Sequence, residues 1–394
     1  MSNQSFADLG VSTPVRNALA KRGITEPFAV QTLVIGDALA GRDVLVKSPT
    51  GSGKTLAFSA PIVEQLGLKA PPGSALIVAP TRELALQIAD DLRPIASVRN
   101  LSVATVYGGA GIQKQAKLAR RAQILVATPG RLLDLMERGA VTLKSTKILV
   151  LDEADRMLDM GFRPDVERII NATPKDRQTM LFSATLDGEV NRIAKRYTDN
   201  PVRHEHVAPK SNVQVEHRFV GVTHEKRFDA LVEELRADRD LALIFVRTKR
   251  SADRLVKRLG SAGIKAVAMH GNKSQNQRER ALAQFDSGKV DALVATDVAA
   301  RGIDVDDISH VINFDPPGDC DAYQHRIGRT ARAGRGGVGV TLVRHEEAKD
   351  VGMIADKLQL RREFAEAGYA MSSRNGSPSN RSSSRSSSRG RRRR

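Results

Sequence analysis

Two short segments hold the residue types that nucleotide chemistry needs. One is Ser48-Pro49-Thr50-Gly51-Ser52-Gly53-Lys54-Thr55, and the other is Asp152-Glu153-Ala154-Asp155, directly after the apolar run Ile148-Leu149-Val150-Leu151. In the first, small residues let backbone N–H groups approach phosphate oxygens, and a helix beginning near Gly53 presents its positive end to them. Lys54 can then hold the β- and γ-phosphates. In the second, a strand-end Asp152 can hold the Mg²⁺ that bridges those phosphates, and Glu153 is positioned to polarise water. The loop departs from the simple glycine pattern at Ser48, and a strand-to-helix turn that merely needs glycine would account for it in isolation. The following Lys-Thr pair and the later acidic pair favour phosphate binding.

These residues need strands to end beside them. Short β-branched runs at 43–47, 75–79, 102–107, 124–127, 147–151 and 179–182 alternate with amphipathic helical stretches and read as buried strands. The pattern restarts at 241–246, 266–269, 292–295, 310–314 and 338–343, separated by helical stretches at 251–259, 274–285 and 321–327. Two tandem α/β units are expected, each a parallel sheet flanked by helices. A turn-rich segment from about Asp199 to Ser211, with Pro201 and Pro209, is the expected linker.

The 394 residues suit two domains and a tail. Net charge is +17 with a pI near 10.2, which favours a polyanionic partner such as nucleic acid. One cysteine, Cys320, leaves no intramolecular disulfide framework and no cysteine cluster for a metal. Residues 1–10 lack the features of a signal peptide, and no run of about 18 apolar residues occurs, so a cytoplasmic chain with no membrane partner is expected. With no Trp and few Tyr, aromatic stacking should not dominate a nucleic-acid contact.

The order of further segments resembles the DEAD-box RNA helicases. They are Gly23-Ile24-Thr25-Glu26-Pro27-Phe28-Ala29-Val30-Gln31, Pro80-Thr81-Arg82-Glu83-Leu84-Ala85, Thr128-Pro129-Gly130-Arg131, the acidic tetrapeptide and Ser183-Ala184-Thr185. The second half continues with Phe245-Val246-Arg247-Thr248, His270-Gly271, Gln275-x-x-Arg278, Ala295-Thr296-Asp297-x-x-x-Arg301-Gly302-x-Asp304 and His325-Arg326-Ile327-Gly328-Arg329-Thr330-Ala331-Arg332. The resemblance spans about Phe6 to Val343 and implies a bacterial member of RhlE-like type. Its implied fold is two RecA-like domains, here 1–203 and 213–370, joined by a linker at 204–212 and followed by a disordered Ser/Arg-rich tail at 371–394.

The resemblance also implies roles. ATP and Mg²⁺ are the cofactors, with Thr55 and Asp152 on the metal, Lys54 on the phosphates and Glu153 on the attacking water. Gln31 should read the adenine edge, its amide offering a donor and an acceptor together. Phe6 fits the family's upstream aromatic position or could simply pack. Gly302 and Asp304 resemble nucleotide contacts, although Asp304 beside Asp306 and Asp307 could be solvated surface. Arg329 and Arg332, three apart and so on one helix face, resemble arginine fingers that complete the site from the second domain. Asp155, Ser183, Thr185 and His325 should couple the nucleotide to interdomain contacts, though a β-turn would account for Ser183 and Thr185 equally well.

For RNA the resemblance implies Pro80, Thr81, Arg82, Gly108, Gly109, Thr128, Pro129, Gly130 and Arg131 in the first domain, with Arg247, Thr248, Gly271, Gln275, Arg278 and Thr296 in the second. These types suit phosphates and 2′-hydroxyls rather than a base code. Two departures stand out: Ala331 where Gly is commoner, and Arg247 where a neutral residue is frequent. The implied activity is ATP-dependent local unwinding of short duplexes, or remodelling of ribosomal or mRNA-decay ribonucleoproteins, by a monomer. The rivals are an ATP-gated RNA clamp or annealing factor and, further off, a DNA translocase.

Eight Arg of the last 24 residues lie among Ser, Gly and Asn with no acid, leaving +9 (+17 less 8) for the rest. That composition cannot bury enough surface to offset ordering entropy, and its single charge sign suits tethering to phosphates. Deleting residues 371–394 should weaken RNA binding and flatten its dependence on salt while leaving intrinsic ATPase nearly intact. Binding titrations at several salt concentrations check this, and an identical slope with and without the tail would make it inert.

Overall fold

The computed structural model describes residues 4–49, 52–67, 69–206, 215–300, 305, 308–331 and 336–369, without the side chains of Gln275 and Val298. Most strand runs are apolar at consecutive positions, as strands covered on both faces require. In the first unit these are β1 Val44–Lys47, β2 Ala75–Val78, β3 Val103–Val106, β4 Ile124–Ala127, β5 Ile148–Leu151, β6 Gln178–Ser183 and β7 Val202–Glu205. They form one parallel sheet in the order β3-β4-β2-β5-β6-β1-β7. The second unit holds β8 Val215–Val222, β9 Leu241–Phe245, β10 Ala266–Met269, β11 Ala292–Ala295, β12 Ile308–Asn313 and β13 Gly337–Arg344. Their order is β10-β11-β9-β12-β13-β8, again parallel throughout.

Strand periodicity divides each core between two faces. Ile148 and Val150 enter one cluster while Leu149 and Leu151 enter the other, and in β9 Leu241, Leu243 and Phe245 part from Ala242 and Ile244 in the same way. Two strands were absent from the expected pattern. β7 lies inside the stretch read as a linker, and β8 carries Glu216, His217 and Arg218 among its apolar residues. Both are edge strands, half-covered, so neither needs a continuous apolar run. The remaining residues of the expected linker, 207–212, and the whole of the tail, 371–394, lie outside the described residues.

Because every strand runs the same way, the loops after their carboxyl ends gather along one edge of each sheet. Ser48 follows β1, Pro80 follows β2, Thr128 follows β4, Asp152 follows β5 and Ser183 closes β6. In the second sheet Arg247 lies just beyond β9, His270 follows β10 and Thr296 follows β11. Among the described residues no helix is long and apolar enough to cross a membrane.

Candidate functional site

The phosphate loop is braced by its own side chains. Ser48 and Ser52 hydroxyls share a 2.6 Å hydrogen bond, Ser52 Oγ donates to the Pro49 carbonyl at 2.9 Å, and Lys54 Nζ donates to the Ser48 carbonyl at 3.0 Å. Gly53 has φ +84°, left-handed backbone that glycine adopts without strain, and the helix Lys54–Gln65 begins next. Thr50 and Gly51 lie outside the described residues. Gln31 is buried, its Nε2 donating to the Gly53 carbonyl at 2.9 Å and its Oε1 accepting the Phe28 N–H at 3.0 Å. One N–H and one lone pair of that amide remain to read a base edge. Phe6, only 3% exposed, packs in the core, the second of the two readings its position allowed.

At the end of β5 the acidic residues are buried together. Burial pushes the Asp152 carboxyl up to about 6; Lys54 opposes the shift, and the charge of Glu153 adds to it. Burial would raise Glu153 also, but Arg156, Lys54 and Arg329 hold it below the usual carboxylate range. Arg156 makes a short ion pair with Glu153. The backbone of Glu153 is left-handed, φ +49°, with its N–H held by Asp152 Oδ1 at 2.9 Å. A non-glycine residue in that region costs about 1–2 kcal/mol, and such strain collects at functional sites.

The donor set suits Mg²⁺. A buried carboxylate that protein cations leave shifted toward neutrality, with the Thr55 hydroxyl on the adjoining helix, offers hard oxygen ligands. Among the described residues no cluster of three His, Cys, Asp or Glu could enclose a metal alone.

Asp155 ties this site to the Ser183–Thr185 loop. Its Oδ2 accepts the N–H groups of Ala184 and Thr185 at 3.0 and 3.1 Å, while Ser183 Oγ accepts the N–H of Asp155 at 3.3 Å. From the second domain come His325 and Arg329. Burial lowers the His325 ring, Arg156 lowers it further and Asp155 opposes, so the groups of both domains act on one another. The helix Cys320–Ile327 ends before Arg329, so the helix-face spacing expected for Arg329 and Arg332 does not hold at Arg329. Buried Arg329 lies in the following turn, its Nε donating to the His325 carbonyl at 3.2 Å. Arg332, Gly302 and Asp304 lie outside the described residues.

The polar loops divide into exposed and committed residues. The Arg82 guanidinium lies over Gly108 and Gly109, where a Cβ on Gly109 would meet its Nη1 at 2.1 Å. Arg131 donates to the Ala110 carbonyl at 2.9 Å, and Gln115 joins the same loop through both backbone groups of Tyr107. Pro80 and Pro129 are buried, Thr81 and Thr128 begin helices, and Gly130 is exposed. In the second domain Arg247 and Gly271 are exposed, and Thr248 caps its helix by accepting the Ser251 N–H at 3.0 Å. Thr296 is half-buried, and Gln275 begins the helix Gln275–Asp286.

Arg278 is placed differently from the expected RNA contact. It pairs with Glu83 of the first domain at 2.8 Å, the side chains 8% and 10% exposed. Burial shifts both groups against their charged forms, so the pair contributes registration of the two domains more than stability. Sequence reading missed Glu83 and Arg156 as site residues. Arg156 had a signal, three residues after Glu153 on a short helix. Glu83 had none, since its partner lies far along the chain.

Residues 28–193 match the DEAD/DEAH box helicase family, and residues 226–334 match the helicase conserved C-terminal domain. The chain is 42% identical over 346 residues to the DEAD-box ATP-dependent RNA helicase CshA of Geobacillus kaustophilus, covering 87% of this chain and 74% of that protein. Its structure is similar to S. cerevisiae Dbp5 bound to RNA and ADP BeF3, with a TM-score of 0.81, 31% identity, and coverage of 92% and 94% of the two chains. A DEAD box protein from the hyperthermophile Methanococcus jannaschii is 39% identical, yet its TM-score is 0.53 with 90% and 97% covered.

Two outcomes follow from this geometry. Reversing either charge of the interdomain pair, Glu83→Arg or Arg278→Glu, buries like charges and should lower the closed-to-open ratio at least about tenfold, while the double swap restores most of it. Energy transfer between labels on the two domains, with nucleotide present, reads this. Protons and Mg²⁺ compete for the Asp152 carboxylate, whose proton leaves at about pH 6. The Mg²⁺ needed for half-maximal hydrolysis should thus rise about tenfold per unit as pH falls below that point and stay level above pH 7. A Mg²⁺ titration at each pH checks it.

Proposed function

The chain belongs to the DEAD-box ATP-dependent RNA helicase family, and we propose that it hydrolyses ATP only as nucleotide and RNA draw its two domains together. Lys54 neutralises the β- and γ-phosphates, Thr55 and Asp152 hold Mg²⁺, and Glu153 orients or deprotonates the attacking water. Arg329, with Arg332, stabilises the charge that develops on the transferred phosphoryl group. The observation that supports this reading is geometric: Arg278 of the second domain pairs with Glu83 of the first at 2.8 Å, and the charge of Arg329 helps to hold the Glu153 carboxyl down from the same domain. Chemistry is then conditional on closure.

RNA would enter along the loops at the strand ends. Arg82, Gly108, Gly109 and the Thr128–Arg131 turn face Arg247, Thr248, Gly271, Gln275 and Thr296 in this reading, with contacts to the sugar-phosphate backbone. A base-pair step is worth roughly 1–2 kcal/mol, so one closure suffices to open a few pairs and long processive unwinding is not needed. Because β7 pairs with β1, the first domain runs through Glu205 rather than ending at the expected 203; a second domain at 213–370, a cytoplasmic monomer of RhlE-like type, and ribosomal or mRNA-decay ribonucleoproteins as partners complete the proposal.

Glu153→Gln tests it. The variant keeps the shape of the side chain but cannot take a proton, so RNA-stimulated phosphate release should fall at least about a hundredfold with ATP binding retained. Turnover equal to the parent protein would remove Glu153 from the chemistry.

A further inference from the structure

Alternation along β8 places His217 where an apolar residue belongs. Val215 and Phe219 join one core cluster of the second domain while Val220 and Val222 join the other, so residue 217 faces the first, among apolar side chains. The imidazole gives up water there, and its Nδ1 lies 2.8 Å from the Tyr323 hydroxyl with the two rings stacked at 5.8 Å. A local rule broken in this way points to a functional demand.

The hydroxyl that His217 meets ends a chain of hydrogen bonds. Arg326 Nη1 donates to Asn313 Oδ1 at 2.9 Å, Asn313 Nδ2 donates to Thr341 Oγ1 at 3.0 Å, and the Thr341 hydroxyl bonds in turn to that of Tyr323. All four side chains are buried, so each link has to be satisfied within the protein. The protons then point one way: Asn313 supplies Thr341, Thr341 supplies Tyr323, and Tyr323 needs an acceptor. Neutral His217, with its own proton on Nε2, provides one at Nδ1.

Tyr323 and Arg326 lie three apart on one face of the helix Cys320–Ile327, which ends two residues before Arg329. Arg326 pins that helix to Asp297 and Asn313, and a helix pinned at one point can still pivot. Tyr323 supplies the second fixed point, on the edge strand. We propose that His217 is a positioning residue for ATP hydrolysis: by accepting the Tyr323 proton it fixes the direction of this helix and so the placement of Arg329 at the phosphates. This rests on the role given to Arg329 above.

Two substitutions at this position separate positioning from packing. His217→Leu suits the apolar surroundings but leaves the Tyr323 proton without an acceptor, whereas His217→Asn puts a carbonyl oxygen where Nδ1 lies. With RNA and ATP saturating, the leucine variant should lose kcat at least about tenfold with the KM for ATP within about twofold, and the asparagine variant should recover most of that loss. Combining His217→Leu with Tyr323→Phe removes both polar ends, so the melting temperature should return toward the parent value while kcat stays low. A second readout is pH. Burial lowers the His217 ring, Glu363 of the helix Arg361–Glu366 opposes the shift, and Gly339 stands opposite it on β13. With Mg²⁺ kept saturating at every pH, kcat of the parent should fall as the ring gains its proton below about pH 6.5, and the asparagine variant should lack this fall. Parent kcat in His217→Leu, a kcat that returns with stability in the double variant, or the same acid limb in His217→Asn overturns the proposal. A parent chain that hydrolyses no ATP would instead overturn the underlying assignment of the site.

Discussion

Negative charge buried at the end of β5 is the constraint around which the molecule is arranged. Asp152 and Glu153 are adjacent, buried and mutually repulsive, and such groups are costly to keep ionised without partners. Lys54 supplies one positive charge from the phosphate loop and Arg156 a second from the next turn of chain. The third comes from Arg329, in the other domain. Glu153 is thereby kept ionised, whereas burial leaves the Asp152 carboxylate short of protein counter-charge, which a divalent cation would supply in competition with the proton.

The interface applies the same logic at a distance from the chemistry. Glu83 and Arg278 each lose water when the domains meet, and neither would tolerate that without the other. Such a pair contributes little net stability but penalises every misaligned closure. Behind it the second domain is kept rigid by Arg326, which donates to both carboxylate oxygens of Asp297 at 2.6 and 2.8 Å, and to Asn313 Oδ1 and the Asp315 carbonyl, with its guanidinium over the Phe245 ring. The helix that ends two residues before Arg329 is therefore anchored to β9 and to the β11 and β12 ends.

What could be read from the chain was local. Central strands are covered on both faces, so their apolar runs were visible, and the residues at their carboxyl ends came with them. Edge strands β7 and β8 were not, because half-covered strands accept charge. The phosphate loop and the acidic tetrapeptide are contiguous and carry their chemistry in their order. Arg278 and Glu83 are not contiguous, and a basic residue next to an expected RNA surface reads as an RNA ligand until its acidic partner is in view. Phe6 and Phe28 show the same limit: both are aromatic and near the motif of Gln31, and only burial tells the core residue from the exposed one.

Ala331 shows how a departure from a family pattern acquires a physical meaning. Its φ of +56° lies in the left-handed region, where a Cβ costs about 1–2 kcal/mol and glycine costs nothing. The flanking contacts leave the chain little freedom to avoid it. Thr330 Oγ1 donates to the carbonyls of Ile308 and Ser309, and Gly337 packs so closely that a Cβ there would meet Thr330 Oγ1 at 2.2 Å and the Ala331 nitrogen at 2.8 Å. Strain at Ala331 is thus imposed from both sides, two residues after Arg329, whose charge helps to lower the Glu153 carboxyl. Glu153, in the first domain, is left-handed as well, with φ +49°. One strained non-glycine residue in each domain therefore lies at or next to groups whose charges act on one another, Glu153 and Arg329, each held by the packed sheet behind it.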